Sequence, residues 1–203
     1  MTATHTRDLD GIQLGAGDHV CAFYRRPEER DGILLPYLTG GLTMGSKCTC
    51  VVDSCPPSHV LAALADIVDV DELVTSGQLE VLDSDSTYFD GGGFLPARMI
   101  EFWAHKARWE GAEPDMVVRN VGDMTWAHRD KPGVEQLAMY ESELNRIIGN
   151  YPQIVLCLYD LNRCDGEMVL DVLKTHPKAM LGGMVIDNPY YLEPDDFLAS
   201  RTR

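Results

Sequence analysis

Residues 18–53 read DHVCAFYRRPEERDGILLPYLTGGLTMGSKCTCVVD, which predicts a strand, a connector, a helix, a Gly-rich turn and a second strand. The two strands are His19–Tyr24 and Cys48–Asp53, both apolar and bounded by turn residues. In a nucleotide-hydrolysing domain of this layout, the turn after the first strand carries small residues and a lysine. Backbone N–H groups can then close on phosphate. Here that turn is Arg25–Arg30, with no glycine, a proline at Pro27, and the carboxylates of Glu28 and Glu29 where phosphates would lie. Gly40 and Gly45 are spaced like a phosphate loop and Ser46-Lys47 follows, but the segment precedes a strand instead of following one. It reads as a helix-to-strand turn in which glycine supplies left-handed dihedrals.

Outward from this stretch, strands and helices alternate. Leu79–Leu82, Met116–Arg119, Ile154–Tyr159 and Met180–Ile186 read as further strands. Ile154–Tyr159 is continuous and β-rich, as for a strand buried on both faces. Helical spacing recurs after Glu28 (with Pro36 inside), around Val60–Leu64, from Asp69 to Gly77, from Pro96 to a stop at Gly111, from Pro132 or Gly133 to Ile148, and from Asp165 to Leu173. The pattern predicts a three-layer α/β domain with a mainly parallel sheet. Residues 1–17 read as a loose arm, 18–194 as the domain and 195–203 as a short tail. Ligands of such domains bind beyond the carboxyl ends of the strands. That rule selects Phe23, Tyr24, Asp53, Ser54, Arg119–Trp126, Tyr159–Arg163 and Ile186–Tyr191.

The chain has 203 residues, enough for one sizeable core, with 32 acidic against 17 basic residues and a net charge of −15. Such a balance argues against direct contact with nucleic acid or anionic lipid. No apolar run approaches the roughly 20 residues that span a bilayer. The first residues lack an apolar signal core, so the sequence predicts a cytoplasmic protein. Most of the six cysteines sit in apolar strands and read as small buried hydrophobes, with no CxxC pair.

Seven motifs, in order, carry a resemblance: Asp18–Tyr24, Gly41–Gly45, Met124–Ala127, Tyr140-Glu141, Cys157–Asp160, Thr175–Pro177 and Asn188–Tyr191. Together they resemble the MEDS domain, a sensory module of methanogen, methylotroph and DcmR-type regulators, over about Gly17 to Pro194. The resemblance implies a fold related to the RecA and KaiC ATPases without a working phosphate loop. It also implies a signalling role, with small hydrocarbon derivatives as ligands. Relatives often join this module to a DNA-binding or kinase-like domain. Nothing in these 203 residues is left for one, so the expected partner is a separate output protein, kinase-like or a transcription regulator.

Candidate ligand-binding residues are His19, Phe23, Tyr24, Arg119, Trp126, Cys157, Tyr159, His176 and Tyr190. The aromatics would enclose an apolar body, or else plug the cleft left by the lost phosphate loop. Arg119 would orient an anionic group, or pair with Glu141 or Glu143 on the following helix. His19 and Cys21 share one strand face, as do Cys157 and Tyr159. The pattern predicts no cofactor; the alternative is a metal on His19, Cys21, Cys157 and His176, whose imidazole and thiolate groups suit zinc, copper or iron. The bland reading of the same residues is a satisfied core histidine beside buried thiols. No nucleophile elbow or HExxH is present, and no catalytic residue is assigned.

The sequence therefore predicts a non-catalytic sensor that binds a small molecule and shifts the population of the Asp83–Gly93 and Asn120–Lys131 loops. The alternatives are an interaction module with a filled cleft, or a metal- or thiol-dependent sensor or enzyme. Homo-oligomers are compatible with each.

Overall fold

The computed structural model describes residues 7–9, 12–108 and 116–201, and of residues 7–9, 12 and 13 the backbone alone. The expected helix stop at Gly111 lies outside the described residues. Strands β1 (Arg7–Leu9) and β2 (Ile12–Leu14) pair antiparallel within the stretch read as a loose arm, and Leu14 is buried. Then follow β3 (His19–Tyr24), α1 (Pro27–Leu42), β4 (Cys48–Val52), α2 (Pro57–Ala65), α3 (Val70–Thr75) and β5 (Leu79–Asp83). The second half runs α4 (Ser84–Tyr88), α5 (Pro96–Lys106), β6 (Val118–Asp123), α6 (Leu137–Ile148), β7 (Gln153–Asp160), α7 (Gly166–Thr175), β8 (Lys178–Leu181), β9 (Met184–Asp187) and α8 (Pro194–Arg201).

The seven-stranded sheet has the order β5-β4-β6-β7-β3-β8-β9, and every pair is parallel except β8–β9. Alternate residues of the central strands feed two cores, as the two-residue period of a strand requires. Val20, Ala22, Cys50, Val52, Val121, Leu156 and Leu158 pack under α1 and α2. Cys21, Phe23, Val51, Val155, Cys157 and Tyr159 face the opposite layer, where α5, α6 and α7 lie side by side. The three-layer parallel α/β architecture is the one the alternation predicts.

Several elements differ from the sequence reading, each for a local reason. The last strand is a hairpin, because Gly182 (φ +57°) and Gly183 (φ +82°) turn the chain inside the apolar run Met180–Ile186. The polar stretch Asp83–Gly93 contains α4, with the Asp83 carboxylate accepting from the Ser86 amide at 2.8 Å as N-cap. The helix expected from Pro132 or Gly133 starts at Leu137, after 3-10 turns over Met124–His128 and Val134–Gln136. Gly133 makes that entry feasible: its φ is +90°, and a Cβ there would lie 2.0 Å from the Phe94 carbonyl oxygen. Pro36 is carried inside α1 without ending it. The described part of the tail, up to Arg201, belongs to α8, with Phe197 buried.

Candidate functional site

At the turn after β3, where a phosphate loop would lie, the chain's own side chains meet the backbone. Arg25 and Arg26 lead from β3 into α1, and the Arg25 amide donates to Glu29 Oε2 at 2.9 Å. A carboxylate of the chain thus takes up a backbone donor in the turn before this helix. Gly45, with φ +79°, closes the turn between α1 and β4, as its position before a strand predicts. At the carboxyl ends of β4 and β6, Asp123 is fully buried and accepts from the Asp53 amide (3.1 Å), the Ser54 amide (2.7 Å) and the Thr125 hydroxyl (3.0 Å). Asp53 accepts in turn from Thr125, Ser84 and Arg129. Just beyond, Trp126 stacks on Tyr88 at 4.5 Å and meets Phe94 and Phe89 at 4.5 and 5.6 Å. Both loops expected to move are thereby packed: Tyr88 and Phe89 of one are buried against Trp126 of the other.

A different cluster lies on the sheet face beneath α6. His19 opens β3, and Cys157 sits two residues beyond its register partner Val155 on the neighbouring β7, so both side chains share that face. Glu141 projects down from α6, and His176 follows the last residue of α7. All four are buried, and one ligand atom from each lies within 4.8 Å of every other. Glu141 Oε2 is 3.3 Å from His19 Nε2, 3.5 Å from His176 Nε2 and 3.8 Å from Cys157 Sγ. The Tyr159 hydroxyl donates to Glu141 Oε1 at 3.1 Å.

The partners of the two imidazoles fix their tautomers. His176 Nδ1 lies 2.8 Å from the Val172 carbonyl oxygen, which can only accept, so Nδ1 carries the hydrogen. Burial, and then the neighbouring His19, hold the His176 pKa well below the usual histidine range, so the ring is neutral and Nε2 is a bare lone pair. Asn145 donates its amide hydrogens to the Thr175 carbonyl at 2.8 Å and to the Glu141 carbonyl at 3.1 Å. Its Oδ1 is therefore the acceptor for His19 Nδ1 at 3.0 Å, and His19 Nε2 turns toward Glu141. Burial, and then Glu141, push the Cys157 thiol well above the usual cysteine range. Such a thiol is no ready nucleophile.

A cavity of about 260 Å³ opens next to this cluster, between the N-terminal half of α6 and the length of α7. Apolar Val134, Leu137, Ala138, Met168 and Val172 line it, with Glu141 also on its wall. Glu135, Asp165, Glu167 and Asp171 give its lining an acidic character, and Arg201 pairs with Asp171. The cavity lies toward the carboxyl ends of β6 and β7, the edge where ligands of parallel α/β sheets bind.

The candidate residues from sequence divide accordingly. His19, Cys157, Tyr159 and His176 come together, and Phe23 stands 5.9 Å from Tyr159. Cys21 faces the same layer, but its thiol points to the Lys178 carbonyl at 3.6 Å, outside the cluster. Tyr24 is buried on the opposite face of β3, with Leu34 and Leu38 of α1 in the same core. Trp126 belongs to the aromatic plug, and Tyr190 is exposed. Arg119 corrects its expected position: β6 runs to Asp123, which puts Arg119 near the strand's amino end, beside Cys48. Its guanidinium donates to the Tyr37 carbonyl at 2.7 Å and lies over the Tyr37 ring, beneath Gly41, where a Cβ would be 2.6 Å from Arg119 Cδ. The suggested pairing of Arg119 with Glu141 or Glu143 is absent, since Glu141 holds the histidine cluster and Glu143 pairs with Arg146. Glu141 is the member of the cluster that the sequence reading does not place among the binding or metal candidates. Its signal was there: with Leu137, Leu144 and Ile148 it occupies the buried stripe of α6, where a carboxylate needs partners.

The sheet order and layers define a class: a three-layer α/β domain with a mainly parallel sheet, here with a turn after β3 that lacks glycine and lysine. The flagellar accessory protein FlaH from Methanocaldococcus jannaschii superposes with a TM-score of 0.60 at 12% identity, covering 87% of this chain and 78% of that one. A KaiC-like protein from Pyrococcus horikoshii gives 0.58 at 10% identity, covering 82% and 71%. These likenesses establish a RecA/KaiC-like fold. Residues 18–177 match the family described as the methanogen/methylotroph, DcmR sensory domain, and the chain belongs to that MEDS family. It is also 30% identical over 178 residues to the transcriptional repressor DcmR of Methylorubrum extorquens, a match that takes in 82% of this chain and 60% of the repressor. The matched family region contains all four clustered side chains. Among the described residues, no helix is long and apolar enough to cross a membrane.

Proposed function

We propose that this chain is the input module of a regulatory system, taking a small molecule into the cavity between α6 and α7 and passing the change to a regulatory output. The observation that carries this reading is the cavity itself: a space of about 260 Å³ with apolar and acidic lining, one of whose lining residues is Glu141. Its volume suits a small organic molecule, and its acidic lining disfavours anions. The ligand class is therefore neutral or cationic with an apolar body, such as a small alcohol, amine or haloalkane. Membership of a sensory family and the likeness to a repressor support the regulatory half of the reading.

A route outward runs through His176. The chain passes from α7 through His176 into β8, and Asn188 donates to the Leu173 and His176 carbonyls at 2.6 and 2.8 Å. Ligand contact at Glu141 would bias His176, and with it the β8–β9 hairpin, where Leu181, Met184 and Ile186 are exposed.

Thermal melting with a panel of small alcohols, amines, haloalkanes and magnesium–ATP tests the proposal. A ligand at 100 times its dissociation constant should add about 2.7 kcal/mol. At least one panel compound is expected to raise the melting temperature of the native chain, and Ala138→Trp, which fills the cavity, should abolish that shift. No shift with any organic compound would overturn the proposal, as would stabilisation by magnesium–ATP.

A further inference from the structure

We propose that His19, Glu141, Cys157 and His176 form a buried zinc site. Four observations converge on it.

The first is geometry. Zinc bond lengths of about 2.0–2.2 Å to nitrogen or oxygen and about 2.3 Å to thiolate give tetrahedral edges of about 3.3 Å for N–O and about 3.6 Å for S–N or S–O. The corresponding edges here are 3.3 and 3.5 Å from the two Nε2 atoms to Glu141 Oε2, 3.5 Å from Cys157 Sγ to His19 Nε2, and 3.8 Å from Cys157 Sγ to Glu141 Oε2. The donors come from two strands, a helix and a helix–strand junction, so the tertiary fold and not one local motif sets their convergence.

The second is the outer layer of hydrogen bonds. Both imidazoles bind a carbonyl-type oxygen through Nδ1, Val172 for one and Asn145 for the other, which aims both Nε2 atoms inward. Glu141 Oε1 is held by Tyr159, leaving Oε2 to the cluster. Outer partners of this kind orient metal ligands and set the tautomer of ligating histidines.

The third is an unpartnered atom. His176 Nε2 is buried, aimed into the cluster and without a hydrogen-bond donor, while its near neighbour is a carboxylate oxygen. A cation between this nitrogen and that oxygen would give both a partner.

The fourth is charge. Among the described residues, neither lysine nor arginine forms an ion pair with Glu141. Zinc would displace the thiol proton to solvent, and Zn²⁺ with one thiolate, one carboxylate and two neutral imidazoles sums to zero. A neutral centre is far cheaper to bury than a lone carboxylate. The mixed sulfur, nitrogen and oxygen set suits zinc and disfavours magnesium or calcium, which take oxygen ligands. The cavity beside Glu141 supplies a way in for the ion.

The test is elemental analysis of the full chain purified without chelator, followed by cobalt substitution. About one zinc per chain is expected, and the cobalt form should show a thiolate-to-cobalt band in the near ultraviolet. Cys157→Ala should lose that band and Cys21→Ala should keep it. Because a variant in this core can fail to fold, X-ray absorption of the native zinc protein gives a second readout. One sulfur with three lighter neighbours is expected. A folded native chain that takes up neither zinc nor cobalt would overturn the site, as would a cobalt band that survives Cys157→Ala or a zinc shell without sulfur. The site stands independently of the cavity ligand: bound zinc with no melting response to the organic panel removes the sensor reading alone, and a melting response without zinc removes this site alone.

Discussion

Trp126→Ala is expected to lower the stability of this domain by about 3–5 kcal/mol, the range for truncating a large buried aromatic. Trp126 is fully enclosed and touches three other aromatic rings, so its removal leaves a space that no single neighbour can fill. Phe94 is the hinge of that packing: it meets Trp126 at 4.5 Å and Tyr140 of α6 edge-on at 5.2 Å. The loss would spread from the loop after β6 into the helix that carries Glu141. Against a typical total of about 5–15 kcal/mol, such a change removes much of the stability of an average domain. Urea titration of the native chain and the variant checks it. Trp126→Phe should recover a large part of the loss, and Tyr190→Ala, at an exposed ring, should change the midpoint little. A midpoint unmoved by Trp126→Ala would mean that these rings do not form a packed plug.

Asp123→Ala is expected to cost about as much by a different mechanism, since leaving each buried donor unsatisfied costs about 1–3 kcal/mol. The Asp123 carboxylate accepts from two backbone amides of the neighbouring strand end and from the Ser54 and Thr125 hydroxyls. With alanine there, the amides of Asp53 and Ser54 lose their acceptor, and the ends of β4 and β6 lose their tie. Asp69→Ala makes a useful comparison: the same side-chain truncation at an exposed N-cap should cost about 1 kcal/mol. Equal losses in the two variants, read by the same urea titration, would contradict the role of Asp123 as a buried organiser.

These two residues also indicate what the sequence could reveal. The alternation of elements, the doubly buried strand at Ile154–Tyr159 and the missing phosphate loop at Arg25–Arg30 are local patterns, and the fold follows from them. Strand parity placed His19 with Cys21 and Cys157 with Tyr159 on shared faces, and both pairs face α6 and α7. Which strand lies beside which is not local. Only the neighbouring of β3 and β7 puts His19 within 3.5 Å of Cys157, and only the crossing of α6 over that pair brings Glu141 in. Residue type pairs Glu141 with Arg119 because both are charges near buried elements, but Arg119 points to the α1 face of the sheet and Glu141 lies on the α6 face, so the sheet separates them. The strand-end rule also points to Tyr24, which is buried in the core under α1, and to Trp126, which is part of the aromatic plug on the other face. The polar cluster sits on the sheet face, and the cavity reaches it from the strand-end edge.

The proposed input lies on the face beneath α6 and α7 and not at the turn after β3. Amide chemical-shift mapping of the native chain, with the panel compound that raises its melting temperature most, tests this directly because both places are read in one spectrum. Shifts are expected at Ala138, Glu141, Val172 and Thr175, with Arg25–Arg30 and Ser54 unchanged. Shifts centred on Arg25–Arg30 and Ser54, with α6 and α7 silent, would contradict it.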